Sequence, residues 1–326
     1  MFHLFHTYLL SIMLRNAYLL IISGILCFPA ATKAQYFMSS NSWKKMRHEL
    51  YLGGGAGNFL GDLGGRNQIG KDYSYADIEM SLTRPSATLG YRYRIAKQWG
   101  WRTDINYMRL WGKDALTDEK YRNNRNLSFR TNLVELSTNL EFAIFINKGG
   151  NRYHIKNTRK RRYKSSSHYI YFFGGLGAFY FNPKAELGGN WYALQPLSTE
   201  GQGLPGGPKK YKRVSVSIPM GIGYRLNVAK QWTIGLEYNF RKTFTDYIDD
   251  VHGTYYDPEL LYEHKGPIAV MLSDPSKGDI PNATAPNGDG TGAQRGDKQM
   301  DSYMSIEIKV GYLMKTKKRK KTRAKF

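Results

Sequence analysis

Apolar residues alternate with polar or small ones over long stretches of this chain. From Val214 to Leu226 every second position is apolar (Val214, Val216, Ile218, Met220, Ile222, Tyr224, Leu226), and Ser215, Ser217, Pro219, Gly221, Gly223 and Arg225 lie between them. The same beat returns over Trp232–Phe240 and Ile306–Met314. A period of two belongs to an extended strand with one apolar and one polar face. Read over the whole chain, the pattern predicts eight strands: 47–61, 83–96, 99–111, 127–147, 168–182, 211–228, 231–246 and 301–315. Ala96-Lys97-Gln98-Trp99 and Ala229-Lys230-Gln231-Trp232 are very short connections, whereas 62–82, 112–126, 183–210 and 247–300 are long. The link between the fourth and fifth strands is also long, and basic. Short turns on one side and long loops on the other are the arrangement of outer-membrane barrels.

An internal repeat supports the hairpins. At an offset of 133, Gly90-Tyr91-Arg92 matches Gly223-Tyr224-Arg225, Ala96–Trp99 matches Ala229–Trp232, Asp104 matches Glu237 and Asn106 matches Asn239. Two hairpins therefore share a turn, an interfacial Trp and an acid on the polar face.

Those polar faces discriminate between folds. With the apolar beat outward, the inward set is Glu49, Arg92, Arg94, Arg102, Asp104, Glu135, Glu141, Arg225, Glu237, Arg241, Glu307 and Lys309, six acids and six bases. A soluble sandwich cannot hold so many charges on its inner face, because an unpaired buried charge costs several kcal/mol. It can hold them on its outer face, which is the competing arrangement. The width of the apolar band, with Tyr and Trp near its ends, favours a barrel covered by lipid and charged within. At about eight strands side chains fill the interior, so an ion-paired lumen is expected and an open channel is not. The fold class expected is all-β: an eight-stranded antiparallel transmembrane barrel with long extracellular loops, in the outer membrane. Outer-membrane lipid is then its first partner.

The N-terminus changes the compartment. Residues 1–34 read as an export signal: Arg15, an uncharged apolar run from Ala17 to Phe28, and small residues before Gln35. Met13 is a second possible initiator. Cys27 is the only cysteine, and cleavage after Ala34 leaves none for disulfides or metal. Residues 35–46 form a linker, 47–315 the barrel and 316–326 a tail. No later stretch approaches the ~18 apolar residues of a membrane helix. The 25 Tyr, 15 Phe and 6 Trp suit interfacial girdles.

The formal charge is +22, or +20 without the leader. Lys148–Lys164 and Lys315–Lys325 each hold eight Lys/Arg and no acid, so the strand-bearing body is near neutral. With an even strand count, the 148–166 link and the tail both face the periplasm. Arg159, Lys160, Arg161 and Arg162, with Lys317, Lys318, Arg319, Lys320 and Lys321, are candidates for docking an acidic periplasmic partner. The alternative is a solvated turn and tail. Nucleic acid is not an expected partner there.

Other candidates are weaker. Asp246, Asp249, Asp250 and His252 offer acid and imidazole at the outer rim, where general-base chemistry would need a carboxylate to orient His252. Solvated loop acids are the plainer reading. Asn287-Gly288-Asp289-Gly290 lacks the Glu that ends a calcium loop. Trp191, Tyr192 and Leu194 are large apolar groups in a loop, suited to capping the barrel mouth. No catalytic residue, metal, cofactor or small-molecule substrate is expected.

Several segments resemble a family of Bacteroidetes outer-membrane barrels. They are Leu52–Gly65, Asn126–Arg130, Phe181–Ala185, Trp191–Leu197, Thr199–Gly203 and Arg241–Val251. Lys309–Met314 resembles the terminal insertion signal of such barrels, although a basic tail follows it. The family includes PorG, a component of the type IX secretion and gliding machinery associated with a periplasmic ring of PorK and PorN, and also paralogues without a known role. The resemblance implies a non-enzymatic anchor or adaptor of such a complex, with PorK and PorN as possible partners. A free-standing barrel that stabilises the envelope or binds lipopolysaccharide is the alternative, and a rim hydrolase using His252 a third.

Overall fold

The computed structural model describes residues 44, 46–63, 82–145, 168–228, 231–280, 293–297 and 299–315. Its strands are β1 (His48–Leu60), β2 (Arg84–Arg94), β3 (Trp99–Lys113), β4 (Ser128–Phe145), β5 (His168–Tyr180), β6 (Lys184–Leu187), β7 (Asn190–Ala193), β8 (Val214–Asn227), β9 (Trp232–Thr243) and β10 (Ser302–Met314). All but β6 and β7 form one closed antiparallel barrel of eight strands. Closure joins the first strand to the last, from His48 opposite Met314 to Leu60 opposite Ser302. Full closure leaves no barrel strand with an unpaired edge.

The alternation seen in the sequence becomes inside and outside. On β4, Thr131, Leu133, Glu135, Ser137, Asn139 and Glu141 are buried in the lumen. Their neighbours Val134, Leu136 and Leu140 are exposed, Leu136 at 57%. Leu52 and Leu176 are exposed at 63% and 61%, so none of the described residues covers the outer face there. Such a face, continuous around the barrel, needs a hydrocarbon cover. Among the described residues no helix is long and apolar enough to cross a membrane, which has no bearing on crossing by strands.

The eight strands agree with the predicted ones to within a few residues. The long connections hold more than the alternation predicts. After β5 the chain makes a small hairpin, β6–β7, which meets the barrel where Lys184 lies opposite Arg130. Gly188 and Gly189 turn it at φ 58° and 82°, a conformation that glycine adopts without a side-chain clash. The 247–300 loop contains the helices Pro258–Lys265 and Pro267–Ser273. Asp257 caps the first, accepting from the N–H groups of Glu259 (2.8 Å) and Leu260 (3.3 Å). These helices are too short to show a 3.6-residue period; their signal is the Asp-Pro and Gly-Pro starts.

Candidate functional site

The barrel interior has two parts. At the end carrying the short turns it is ionic. Arg92 reaches Glu49 at 2.8 Å and Glu141 at 2.7 Å; Arg225 reaches the same two acids at 2.7 and 3.3 Å. Arg102 meets Glu237 at 2.5 Å, Asp104 at 3.0 Å and Glu141 at 3.2 Å. Lys309 meets Glu237 at 2.5 Å and Glu307 at 3.7 Å. Arg241 pairs with Glu135 at 3.2 Å, and Glu135 also accepts from Tyr303 and from Asn106 (2.9 Å). Arg94 donates to the Tyr169 hydroxyl at 2.9 Å. The structure thus brings all twelve inward residues into one buried set. Two voids beside this network measure about 10 and 20 Å³, room for about one water each. Strands from opposite walls are tied across the lumen by these pairs.

The internal repeat organises this network. Gly90 and Gly223 occupy equivalent places, and a Cβ on either would lie 2.3 or 2.2 Å from a tyrosine ring of the adjoining strand, Tyr51 or Tyr171. Each tyrosine donates to the repeat's acid: Tyr51 to Asp104, and Tyr171 to Glu237 at 2.7 Å. Each repeat arginine lies over a ring, Arg92 4.5 Å from Tyr51 and Arg225 4.7 Å from Tyr171. The two half-sites face each other and share Glu49, Glu141 and Arg102. The shared glycine, arginine and acid are legible in the sequence; the tyrosines are not, because they lie on strands outside the repeat.

Towards the long loops the lumen becomes apolar. Phe59, Leu63, Met108, Leu127, Phe129, Leu133, Phe179, Phe181, Tyr211, Ile248, Val251 and Tyr303 form one buried cluster that closes the barrel. Leu194 joins a second cluster with Ala185 and Leu272, against which Tyr192 packs. Trp191 lies beside it with the Arg130 guanidinium 3.7 Å from its ring.

Above the closing cluster sit carboxyls that outnumber the cations beside them. Asp62, Asp246 and Asp297 have oxygens within 4.8 Å of one another. Burial and the charges of Asp249, Asp62, Asp297 and Glu200 push the Asp246 pKa up to about 10. Burial and Asp297 push Asp62 up to about 7, against the pull of Arg125. Burial raises Asp249 and Asp301 well above the usual range, and neighbouring acids add to it. Asp250 rises to about 7 through burial, although Arg295, Thr199 and Tyr211 favour its ionised form. These acids also hold backbone. Asp249 accepts from the N–H of Leu63 (3.2 Å) and Val251 (3.1 Å), and Asp301 from Ile248 (2.9 Å). Arg295 clamps Glu200 at 3.0 Å and the Asp250 carbonyl at 2.7 Å.

Asp246 lies 2.5 Å from Nδ1 of His252. This supplies the orienting carboxylate that a rim base would need, and proximity alone did not show in the sequence. Yet an Asp246 that keeps its proton at neutral pH is a poor orienting anion. Among the described residues no Ser, Thr or Cys hydrogen-bonds the His252 ring. The three carboxylates would suit a hard cation such as calcium only once ionised. The basic candidates Arg159–Arg162 and Lys317–Lys321, the export signal, and the Asn287–Gly290 segment lie outside the described residues.

Residues 32–174 match a family described as a domain of unknown function, DUF6089. No curated protein matches the chain. Among solved structures, Neisserial surface protein A is similar with 8% identity and a TM-score of 0.36, covering 82% of this chain and 97% of that one. Ail, the attachment invasion locus protein of Yersinia pestis, has 11% identity and a TM-score of 0.33, covering 83% and 99%. The outer membrane protein OprG from Pseudomonas aeruginosa has 9% identity and a TM-score of 0.33, covering 83% and 98%.

Proposed function

We propose that this protein is a non-enzymatic outer-membrane barrel with a mechanical role, the anchor or adaptor of a type IX secretion or gliding assembly. The observation that carries the mechanical reading is the lumen, cross-tied by ion pairs and closed by an aromatic layer. Such an interior resists deformation and transmits no solute. The apolar outer face supports the membrane location. From Val134 to Ile144 the outward positions of β4 carry no charge. Ten residues of strand extend about 33 Å, which at a tilt near 40° gives about 25 Å of height, the apolar band of such barrels.

The secretion role is supported by the family resemblance of the segments from Leu52 to Val251, and the periplasmic basic clusters are the surfaces offered to PorK and PorN. Purification of the full chain in mild detergent, followed by identification of co-eluting proteins, tests it. Ring lipoprotein and its partner should co-elute with the wild type and be lost on charge reversal of Arg159–Arg162 and Lys317–Lys321. Absence of both from the wild-type eluate, with cargo export unchanged after gene deletion, would reject the secretion role and leave a free-standing envelope barrel.

A further inference from the structure

We propose that the outer rim of β3, β4 and β6 is a binding site for the phosphate-bearing headgroup of an outer-leaflet glycolipid. The site deepens the outer-membrane reading above and rests on it. Arg130 lies directly opposite Lys184 in the β4–β6 ladder. Like charges in that relation repel, so the pair is favourable only with an anion between them or with full solvation. Arg109 adds a third cation, donating from Nε to the Asn132 side chain at 3.1 Å. Arg213 adds a fourth, donating to Asn182 at 3.2 Å. None of these four forms an ion pair with an acidic side chain among the described residues. Every cation but Arg94 in the lumen does. The Trp191 ring holds the Arg130 guanidinium in place from one side, leaving its N–H edge directed elsewhere.

The position selects a lipid over a soluble anion. Arg130, Asn132, Asn182 and Lys184 line a cleft of about 200 Å³ whose remaining wall is Tyr180. Tyr180 lies opposite Val134, at the upper margin of the apolar band. Arg130 is four residues further along β4, about 10 Å higher on a strand tilted near 40°. That is the headgroup layer, which begins where the hydrocarbon ends. A ligand with acyl chains along Val134 and Leu136 and a phosphate at Arg130 and Lys184 meets both surfaces at once. Guanidinium groups suit phosphate because their planar N–H edge bonds it bidentately.

Native mass spectrometry of the detergent-purified full chain, titrated with lipid A, tests this. Bisphosphorylated lipid A should remain bound to the wild type, and R130Q/K184Q should weaken it by about tenfold or more, the loss of two charge-assisted hydrogen bonds. K242Q/K265Q, which removes the same charge elsewhere, should leave the affinity unchanged. Dephosphorylated lipid A should bind as weakly to the wild type as the phosphorylated lipid does to R130Q/K184Q. Heat-modifiable mobility in cold detergent gels checks that each variant has folded. Equal loss with K242Q/K265Q, indifference to the phosphates, or displacement by inorganic phosphate as effective as by lipid A would each overturn the site. A wild type that folds in detergent but holds no lipid A rejects this site alone; one that is soluble without detergent rejects the membrane reading as well.

Discussion

The lumen and the loop-side mouth of this barrel solve the same problem differently. Both hold carboxyl groups away from bulk water. In the lumen Glu49, Glu141 and Glu237 each meet two or more cations within 3.3 Å. At the mouth Asp62, Asp246, Asp249 and Asp301 face one another, and protonation and backbone N–H groups replace the cations. The difference teaches where each device works. Behind a hydrocarbon belt there is no proton-exchanging solvent to relieve a mispaired charge, so balance is built into the strands. Beside water, a loop can take up or release a proton, and the closure becomes sensitive to pH.

The largest effect should come from breaking the lumen. Arg102→Met leaves Asp104 without its ion-pair partner and takes one cation each from Glu141 and Glu237, and loss of one partner of a buried ion pair costs about 3–5 kcal/mol. Urea unfolding followed by the gel-mobility shift should show this, or failure to insert. Removing Glu237 as well, by Glu237→Leu, should recover part of the loss, and no recovery would deny that the pair is coupled.

A smaller effect should follow from crowding the repeat. Gly223→Ala places a Cβ 2.2 Å from the Tyr171 ring and should cost about 1–3 kcal/mol. Gly54→Ala, whose Cβ would meet nothing within 4 Å, serves as the control and should leave the unfolding midpoint nearly unmoved.

The mouth should respond to pH in the sense opposite to ordinary acids. Its folded carboxyls hold protons that an unfolded chain has released above about pH 4. Loop closure is therefore strongest below about pH 4 and weakens progressively as pH rises, the loss from Asp62 and Asp250 being complete past about 7 and that from Asp246 past about 10. Hydrogen exchange at the Leu63 and Ile248 amides should accelerate beyond its intrinsic pH dependence, while lumen amides stay protected. Asp246→Asn should flatten that dependence; a steep dependence in that variant would place the switch elsewhere. Smallest of all, Asp257→Ala should loosen only the Pro258–Lys265 helix, by about 1 kcal/mol, detectable as local exchange with the barrel midpoint unchanged.

Alternation was enough to place the eight barrel strands and to separate inward Glu135 from outward Leu136, because a residue's face on a strand is a local property and a one-residue slip inverts it. It also gave the inward acids and bases as a set. It was silent on the helices at Pro258 and Pro267, too brief for a helical period, and on β6–β7, whose four-residue strands are too short to alternate visibly. Which acid meets which base was decided by closure. Arg102 and Glu237 are 135 residues apart and Glu49 and Arg225 are 176 apart, and only the curvature of the sheet brings them face to face. The carboxyl cluster at the mouth is likewise invisible along the chain, since Asp62 follows β1 while Asp246 and Asp297 stand at opposite ends of the long connection between β9 and β10, and they become neighbours only when the barrel gathers its loop ends. Local geometry follows from the order of residues; electrostatic partnership depends on distance through space, and that belongs to the folded chain.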